Sequence, residues 1–266
     1  MIWLLSRVLR DFPTYEPAAK IGLVTAGLLI IFVIGVFFFG PEEVRLPALI
    51  GLLALFISAQ AIVLWANRGM VTALTAAQRH YLAGDFERAI AVLEEERRRG
   101  KADSRALTLL GNAYRQLGRL QDSHAVLSEA VDKSSNHHFS LYGFGRTLLL
   151  EGEYERAAQM FSRALAAGGP AELRVDLVEA YYRGGVLDSA QSALLEMSDG
   201  AYTEVHRELL AQYLRHRLLN MPFPSRAVIE QGLPFWQAVA ERTAHTPYGR
   251  AVAQDVHYLI AEASHE

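Results

Sequence analysis

The sequence predicts an all-α protein: a two-helix transmembrane hairpin, then an α-solenoid of helical pairs with extra C-terminal capping helices. Three observations carry this. Two long uncharged apolar runs occupy the first quarter of the chain. A glycine-led phrase then returns at a fixed spacing. Beyond it, helical periodicity persists without the spacing. Composition narrows the rest: 266 residues, 51% apolar, with a formal charge of −3, give no sign of gross disorder or polyanion binding. The absence of cysteine excludes disulfides and cysteine metal sites. Lys20, Lys101 and Lys133 are the only lysines beside many arginines, a bias that suggests a bacterial source.

Residues 1–20 are expected to lie at the cytoplasmic membrane face, with Ile2, Leu5 and Leu9 near one side and Trp3 as an interfacial anchor. Residues 21–66 are the expected hairpin. The runs Ile21 to Gly40 and Leu46 to Ala66 carry no charge. About twenty helical residues cross a hydrocarbon layer, and both runs are apolar on every face, unlike a core helix. The link Pro41 to Arg45 suits a tight antiparallel turn. The first run is too long for a cleaved signal peptide, and no small-residue cleavage site follows it. Arg7, Arg10 and Lys20 precede the first run, and Arg68 and Arg79 follow the second, so the excess of positive charge places both termini in the cytoplasm. Only Asn67 to Gly69 separate the second run from the repeats, too few residues for a flexible tether.

Residues 70–199 carry the repeat. Gly84, Gly118 and Gly152 are spaced by 34 residues. Small residues recur at Ala89, Ser123 and Ala157, and large apolar ones at Leu93, Leu127 and Phe161. Two apolar-periodic stretches flank each glycine, which reads as helix, turn, helix. A fourth unit follows one residue early, with Leu177, Tyr181, Gly185, Ala190 and Leu194. Residues 200–266 are expected to form degenerate helices that cap the array, because a stacked solenoid needs its last apolar face covered. Val205, Leu209, Leu210, Tyr213 and Leu214 share one helical face; Pro222 and Pro224 stop it; Ser225 can start a helix interrupted near Gly232 and Pro234. Thr246 with Pro247 marks another helix start.

The pattern resembles the tetratricopeptide repeat family, whose unit is a 34-residue helical pair. The second unit matches best, with Leu107, Leu110, Gly111, Tyr114, Gly118, Ser123, Leu127 and Ala130 at signature positions and serine in place of the usual alanine. The third has Leu141, Phe144, Gly145, Tyr154, Ala157, Phe161 and Ala164. The first departs from the signature, with Ala77 and His80 where glycine and tyrosine are usual. The resemblance implies a protein-binding groove along the first helices, lined here by Arg105, Asn112, Arg115, Tyr142, Arg146, Tyr182 and Arg183. Asn112 stands where some chaperone-binding members hold a peptide carboxylate, but their clamp lysines are missing. The implied partner is an acidic or C-terminal peptide of another membrane protein.

No catalytic constellation, metal pattern or cofactor motif is recognisable, and nucleic acid is not an expected partner. Gly143 and Gly145 lack the preceding strand of a nucleotide loop. His137 and His138 fall in an inter-repeat turn, and Glu94 to Arg99 read as an exposed helix face with ion pairs. The expected function is a multi-pass inner-membrane docking scaffold for assembly of a membrane complex. The first rival is a permanent structural subunit, for which Gly22, Ala26 and Gly35 supply small residues for close helix contact. The second rival is an enzyme.

Overall fold

The structure, a computed structural model, describes residues 17–197 and 204–264. Most of the expected interfacial segment, Trp3 included, and the boundary near Asp199 and Gly200 lie outside the described residues. The regular structure of those described is helical, without a strand. The chain divides into two compact units: residues up to Ala76 with Arg98–Lys101, and Ala77–Arg97 with the residues from Ala102 onward.

In the first unit, α1 (Pro17–Phe39) is followed by a 3-10 turn (Glu42–Val44) and by α2 (Arg45–Leu82), which extends across the boundary at Ala76. Nothing interrupts α1 because its sequence lacks proline and charge after Lys20, and Gly40 with Pro41 ends it. Ile21, Ile31, Phe32 and Phe38 on α1, and Leu46, Ile50, Leu53 and Ile57 on α2, are exposed. By length and composition the segment Glu42–Ala61 can cross a membrane; Val24–Phe39 is a shorter apolar stretch.

In the second unit, helices pair as the spacing predicts. The end of α2 is joined to α3 (Phe86–Arg98) by the turn at Gly84, across which the rings of Tyr81 and Phe86 meet at 5.2 Å, while α4 (Ser104–Gln116) pairs with α5 (Leu120–Lys133), α6 (His138–Glu151) with α7 (Tyr154–Ala166), and α8 (Arg174–Arg183) with α9 (Leu187–Leu195). The turn glycines explain the period. Gly84, Gly118, Gly152 and Gly185 have φ of 77°, 72°, 84° and 74°, a left-handed geometry that glycine enters without steric cost. One residue later the amides of Asp85, Arg119, Glu153 and Val186 donate to the carbonyls of His80, Tyr114, Leu148 and Tyr181, closing each helix end.

The other repeated positions form the core. Ala89, Ser123, Ala157 and Ala190 are all buried, as are Leu93, Leu127, Phe161 and Leu194. Ser123 is tolerated there because its hydroxyl donates to the Gly111 carbonyl at 2.8 Å and lies 2.8 Å from Thr147 Oγ1. Gly111 and Gly145 sit where paired helices meet: a Cβ on Gly111 would collide with Leu127 Cγ, and one on Gly145 would lie 2.6 Å from Phe161 Cε1. Ala77, at the departing position of the first unit, is fully buried too.

After the repeats come α10 (Val205–Leu219), α11 (Arg226–Arg242) and α12 (Pro247–Ala263). The expected break near Gly232 and Pro234 does not occur; α11 runs through both. Pro234 leaves only the carbonyl of Glu230 without its helical donor, on an exposed residue. Gly232 is instead a packing residue, since a Cβ there would lie 2.9 Å from Leu209 Cβ. Thr246 caps α12 by accepting from the Gly249 amide at 2.9 Å, with Pro247 in the first turn.

Overpacking a closed helix contact costs about 1–3 kcal/mol. Gly145→Ala in the full chain is therefore expected to lower the thermal midpoint of the repeat unit by several degrees, measured by circular dichroism. An unchanged midpoint would contradict the tight contact with Phe161.

Candidate functional site

The first helices of successive repeats, α4, α6 and α8, place their inner faces side by side. The C-terminal helices α10 and α11 and the start of α12 come down over that face. Between them lies a cavity of about 510 Å³. One wall holds Arg115, Tyr142, Arg146, Leu150, Val175 and Asp176; the other holds His206, Arg207, Leu210, Phe235, Trp236, Val239 and Tyr248, with Arg242 and His245 beside them. The volume lies in the range of pockets that take small ligands or single side groups.

Asp176 organises the polar wall. Its side chain is only 3% exposed, and it receives Arg146 Nη1 at 2.8 Å on one oxygen and Arg207 Nη1 at 2.7 Å on the other. Arg207 also donates to the Tyr142 hydroxyl at 3.1 Å and to the Glu172 carbonyl at 3.3 Å, and Glu204 approaches its Nε at 3.2 Å. Burial works against the charge of Arg146, but Tyr142, Tyr248, Asp176 and Glu179 outweigh it and raise its pKa. On the opposite wall the rings of His206 and Phe235 stack at 3.7 Å, and Trp236 Nε1 donates to the His206 carbonyl at 2.9 Å.

Arg115 differs from its neighbours. Its Nη1 donates to Asn112 Oδ1 at 2.8 Å and to the Gly143 carbonyl at 2.9 Å, both neutral acceptors. Among the described residues no carboxylate pairs with it. Burial first, and the positive charge of Arg146 second, lower its pKa to about 10. A guanidinium held by neutral acceptors alone has its hydrogen bonds met but its charge uncompensated, so an anion beside it is favoured.

The residues expected to line the groove thus separate. Arg115, Tyr142 and Arg146 meet at the cavity. Asn112 stands behind Arg115 and fixes its guanidinium. Arg105, on the first turn of α4, is 61% exposed and pairs with Asp103 at 3.3 Å. Tyr182 packs half-buried against the core. Arg183 is 6% exposed and belongs to a second polar cluster, bonding Glu179 at 2.8 Å and Asp255 of α12 at 3.0 Å. There Tyr248 donates to Glu179 Oε1 at 3.1 Å and Tyr213 to Asp255 at 2.6 Å, while Glu179 Oε2 is buried with no partner among the described residues. Burial and the Glu179 charge together raise the pKa of Tyr248.

Sequence reasoning missed Asp176, Arg207, His206, Phe235 and Trp236. A signal existed for Asp176, which occupies the repeat position held by Leu109 and Gly143 in the preceding units, so a lone carboxylate interrupts an otherwise uncharged column. The others lie beyond the register. Elsewhere, His124, Glu151 and Glu153 bring one ligand-type atom each within 4.8 Å, but His124 already bonds Glu151 at 2.8 Å and Arg156 pairs with Glu153.

A hydrogen bond to a buried charged group contributes about 1.5–3 kcal/mol. Tyr248→Phe, which leaves Glu179 with Arg183 alone, is expected to lower the unfolding free energy by that amount in a denaturant titration. Arg183→Met leaves Glu179 and Asp255 with only the hydroxyls of Tyr248 and Tyr213 and no cation between them, and should additionally release α12 to limited proteolysis. Protection of α12 equal to that of the parent would exclude this cluster as its clasp.

A tetratricopeptide repeat family model matches residues 74–138. Solved structures with a similar fold include a MamA fragment from residue 41 onward of Desulfovibrio magneticus RS-1, at 20% identity and a TM-score of 0.48, covering 72% of this chain and 94% of that one. Another is a thermophilic tetratricopeptide protein of Thermus thermophilus, at 14% identity and 0.48, covering 71% and 98%. No curated protein sequence matches the chain. Residues 74–138 thus match tetratricopeptide repeats, and the left-handed turn glycines continue the same helical-pair pattern at Gly152 and Gly185.

Proposed function

We propose that this protein is a membrane-anchored docking scaffold. Its repeat array receives an acidic segment of a protein partner, and in doing so positions that partner within a membrane complex. The observation that carries the reading is Arg115, a partly buried guanidinium with only neutral acceptors, beside a cavity whose one lining carboxylate, Asp176, is already shared by Arg146 and Arg207. An acidic group entering there gains charge-assisted hydrogen bonds without displacing an internal anion. The docking residues are Arg115, Tyr142 and Arg146, with Asn112 holding Arg115 in place and the exposed Arg105 further along α4. Arg183 is assigned to seating the C-terminal helix, and Tyr182 to core packing.

Anchoring is supported by the exposed apolar side chains of α1 and α2 and by the membrane-length segment Glu42–Ala61. With the basic flanks, these favour a two-span anchor in the inner membrane, with both termini and the repeats in the cytoplasm. A repeat array without a recognisable catalytic constellation favours binding over catalysis.

Three measurements test this. Arg115→Gln should reduce capture of the acidic partner from detergent-solubilised membranes by about tenfold or more, the equivalent of one lost charge-assisted bond, while Arg88→Gln on the exposed face of α3 should not. Undiminished capture by Arg115→Gln would refute the docking site. A reporter that is active only outside the cytoplasm, fused after Glu266, should stay silent; strong activity would reverse the topology. Purification of the chain in a complex of fixed stoichiometry would favour the permanent-subunit reading over a transient scaffold.

A further inference from the structure

Resting on that docking reading, we propose that the anionic group the cavity takes is a phosphoryl dianion, not a carboxylate. Three observations lead there. The cavity, about 510 Å³, is bounded by residues of α10, α11 and the start of α12 opposite the repeat helices, a volume that suits a compact group better than a run of extended acidic chain. Its polar wall carries more positive charge than one carboxylate balances: Arg115 is unpaired by any described carboxylate, and Arg146 and Arg207 divide Asp176 between them. Its donors come from three separate helices: Arg115 from α4, Tyr142 and Arg146 from α6, and Arg207 from α10.

That arrangement suits tetrahedral oxygen chemistry. The Tyr142 oxygen already accepts from Arg207, so its own O–H is available to donate outward. Among the described residues the hydrogen bonds of Arg115 run through Nη1, to Asn112 and Gly143, which leaves its Nε and Nη2 to meet an incoming oxygen. A carboxylate offers two oxygens in one plane and one charge. A phosphate monoester offers three oxygens out of plane and close to two charges near neutral pH, which matches donors arriving from different helices. The half-exposed Phe235, stacked on His206, lies on the facing wall and supplies an apolar surface for whatever carries the phosphoryl group. The carrier is either a phosphorylated side chain of the docked protein or a free organic phosphate, and the shared feature is the terminal phosphoryl group.

The test is calorimetric titration of the full chain in nanodiscs with phenyl phosphate, diphenyl phosphate and benzoate, and with one peptide carrying phosphoserine, serine or glutamate at the same position. Phenyl phosphate should bind at least tenfold tighter than either monoanion, and Arg115→Gln should abolish the difference. Arg115→Lys, which keeps the charge and loses the fork, should retain part of it, with thermal midpoints confirming that both variants fold. A phosphoserine peptide binding more than tenfold tighter than phenyl phosphate identifies a phosphorylated protein as the source; equal affinities identify a free organic phosphate. Benzoate or the glutamate peptide binding as tightly as their phosphoryl counterparts overturns the proposal and leaves acidic docking standing. No binding of any anion, together with undiminished partner capture by Arg115→Gln, overturns both.

Discussion

The arrangement of the repeat unit depends on one buried carboxylate. Asp176 sits on α8 with its side chain nearly out of solvent, and a single carboxylate there would be costly on its own. It is held by a guanidinium from the preceding repeat and by another from the first helix after the array. Removing either partner would leave a buried charge incompletely compensated, a cost of several kcal/mol in general. The three groups therefore fix the register between α6 and α8 and fix α10 across the inner face. The cavity exists because α10 is held there.

The second polar cluster extends the same logic. Arg183 on α8 is almost fully buried, and its charge is met by Glu179 one turn earlier and by Asp255 on α12. Tyr248 and Tyr213 add hydroxyl donors to the same carboxylates. A tetratricopeptide array ordinarily presents the inner faces of its first helices to a partner, but here the chain's own terminal helix takes that place over the fourth repeat. Residues that would read as a basic, aromatic groove are divided between tasks: Arg183 holds the C-terminal helix through Asp255, Tyr182 packs against the core, and Arg115, Tyr142 and Arg146 face the cavity. The orphan Glu179 Oε2 marks where this internal seal is incompletely satisfied.

The fold was legible wherever one residue had one geometric duty. Gly84, Gly118 and Gly152 are required by left-handed turns, and Gly111 and Gly145 by side chains that leave no room for a Cβ. Such constraints act within one helical pair, so they repeat with the period and can be counted. Thr246 and Pro247 were legible for the same reason, since a cap is satisfied within its own turn. Pro234 was misleading because proline removes one hydrogen bond locally, whereas the packing of Gly232 on Leu209 and of Trp236 near His206 keeps α11 in one piece. The site was legible only in part. Its arginines on the repeats follow from the frame, but Arg207, Phe235 and Trp236 arrive from helices whose position is set by tertiary contacts. No periodicity encodes which carboxylate an arginine will find across 30 or more residues of chain, as Arg146 and Arg207 do with Asp176.

That same division explains why basic composition along a repeat face is a poor guide to binding. Arg183 carries a full charge and is spent inside the fold, as much a structural group as the leucines around it. Arg105 is exposed and answered by Asp103 next to it. Among the arginines expected to line the groove, Arg115 combines partial burial, neutral acceptors and a positive neighbour. Recognition of an anion depends on what each guanidinium lacks, because a cation already satisfied gains little from a ligand and must first give up its partner. By that criterion the proposed docking site is the cavity and not the full length of the inner face.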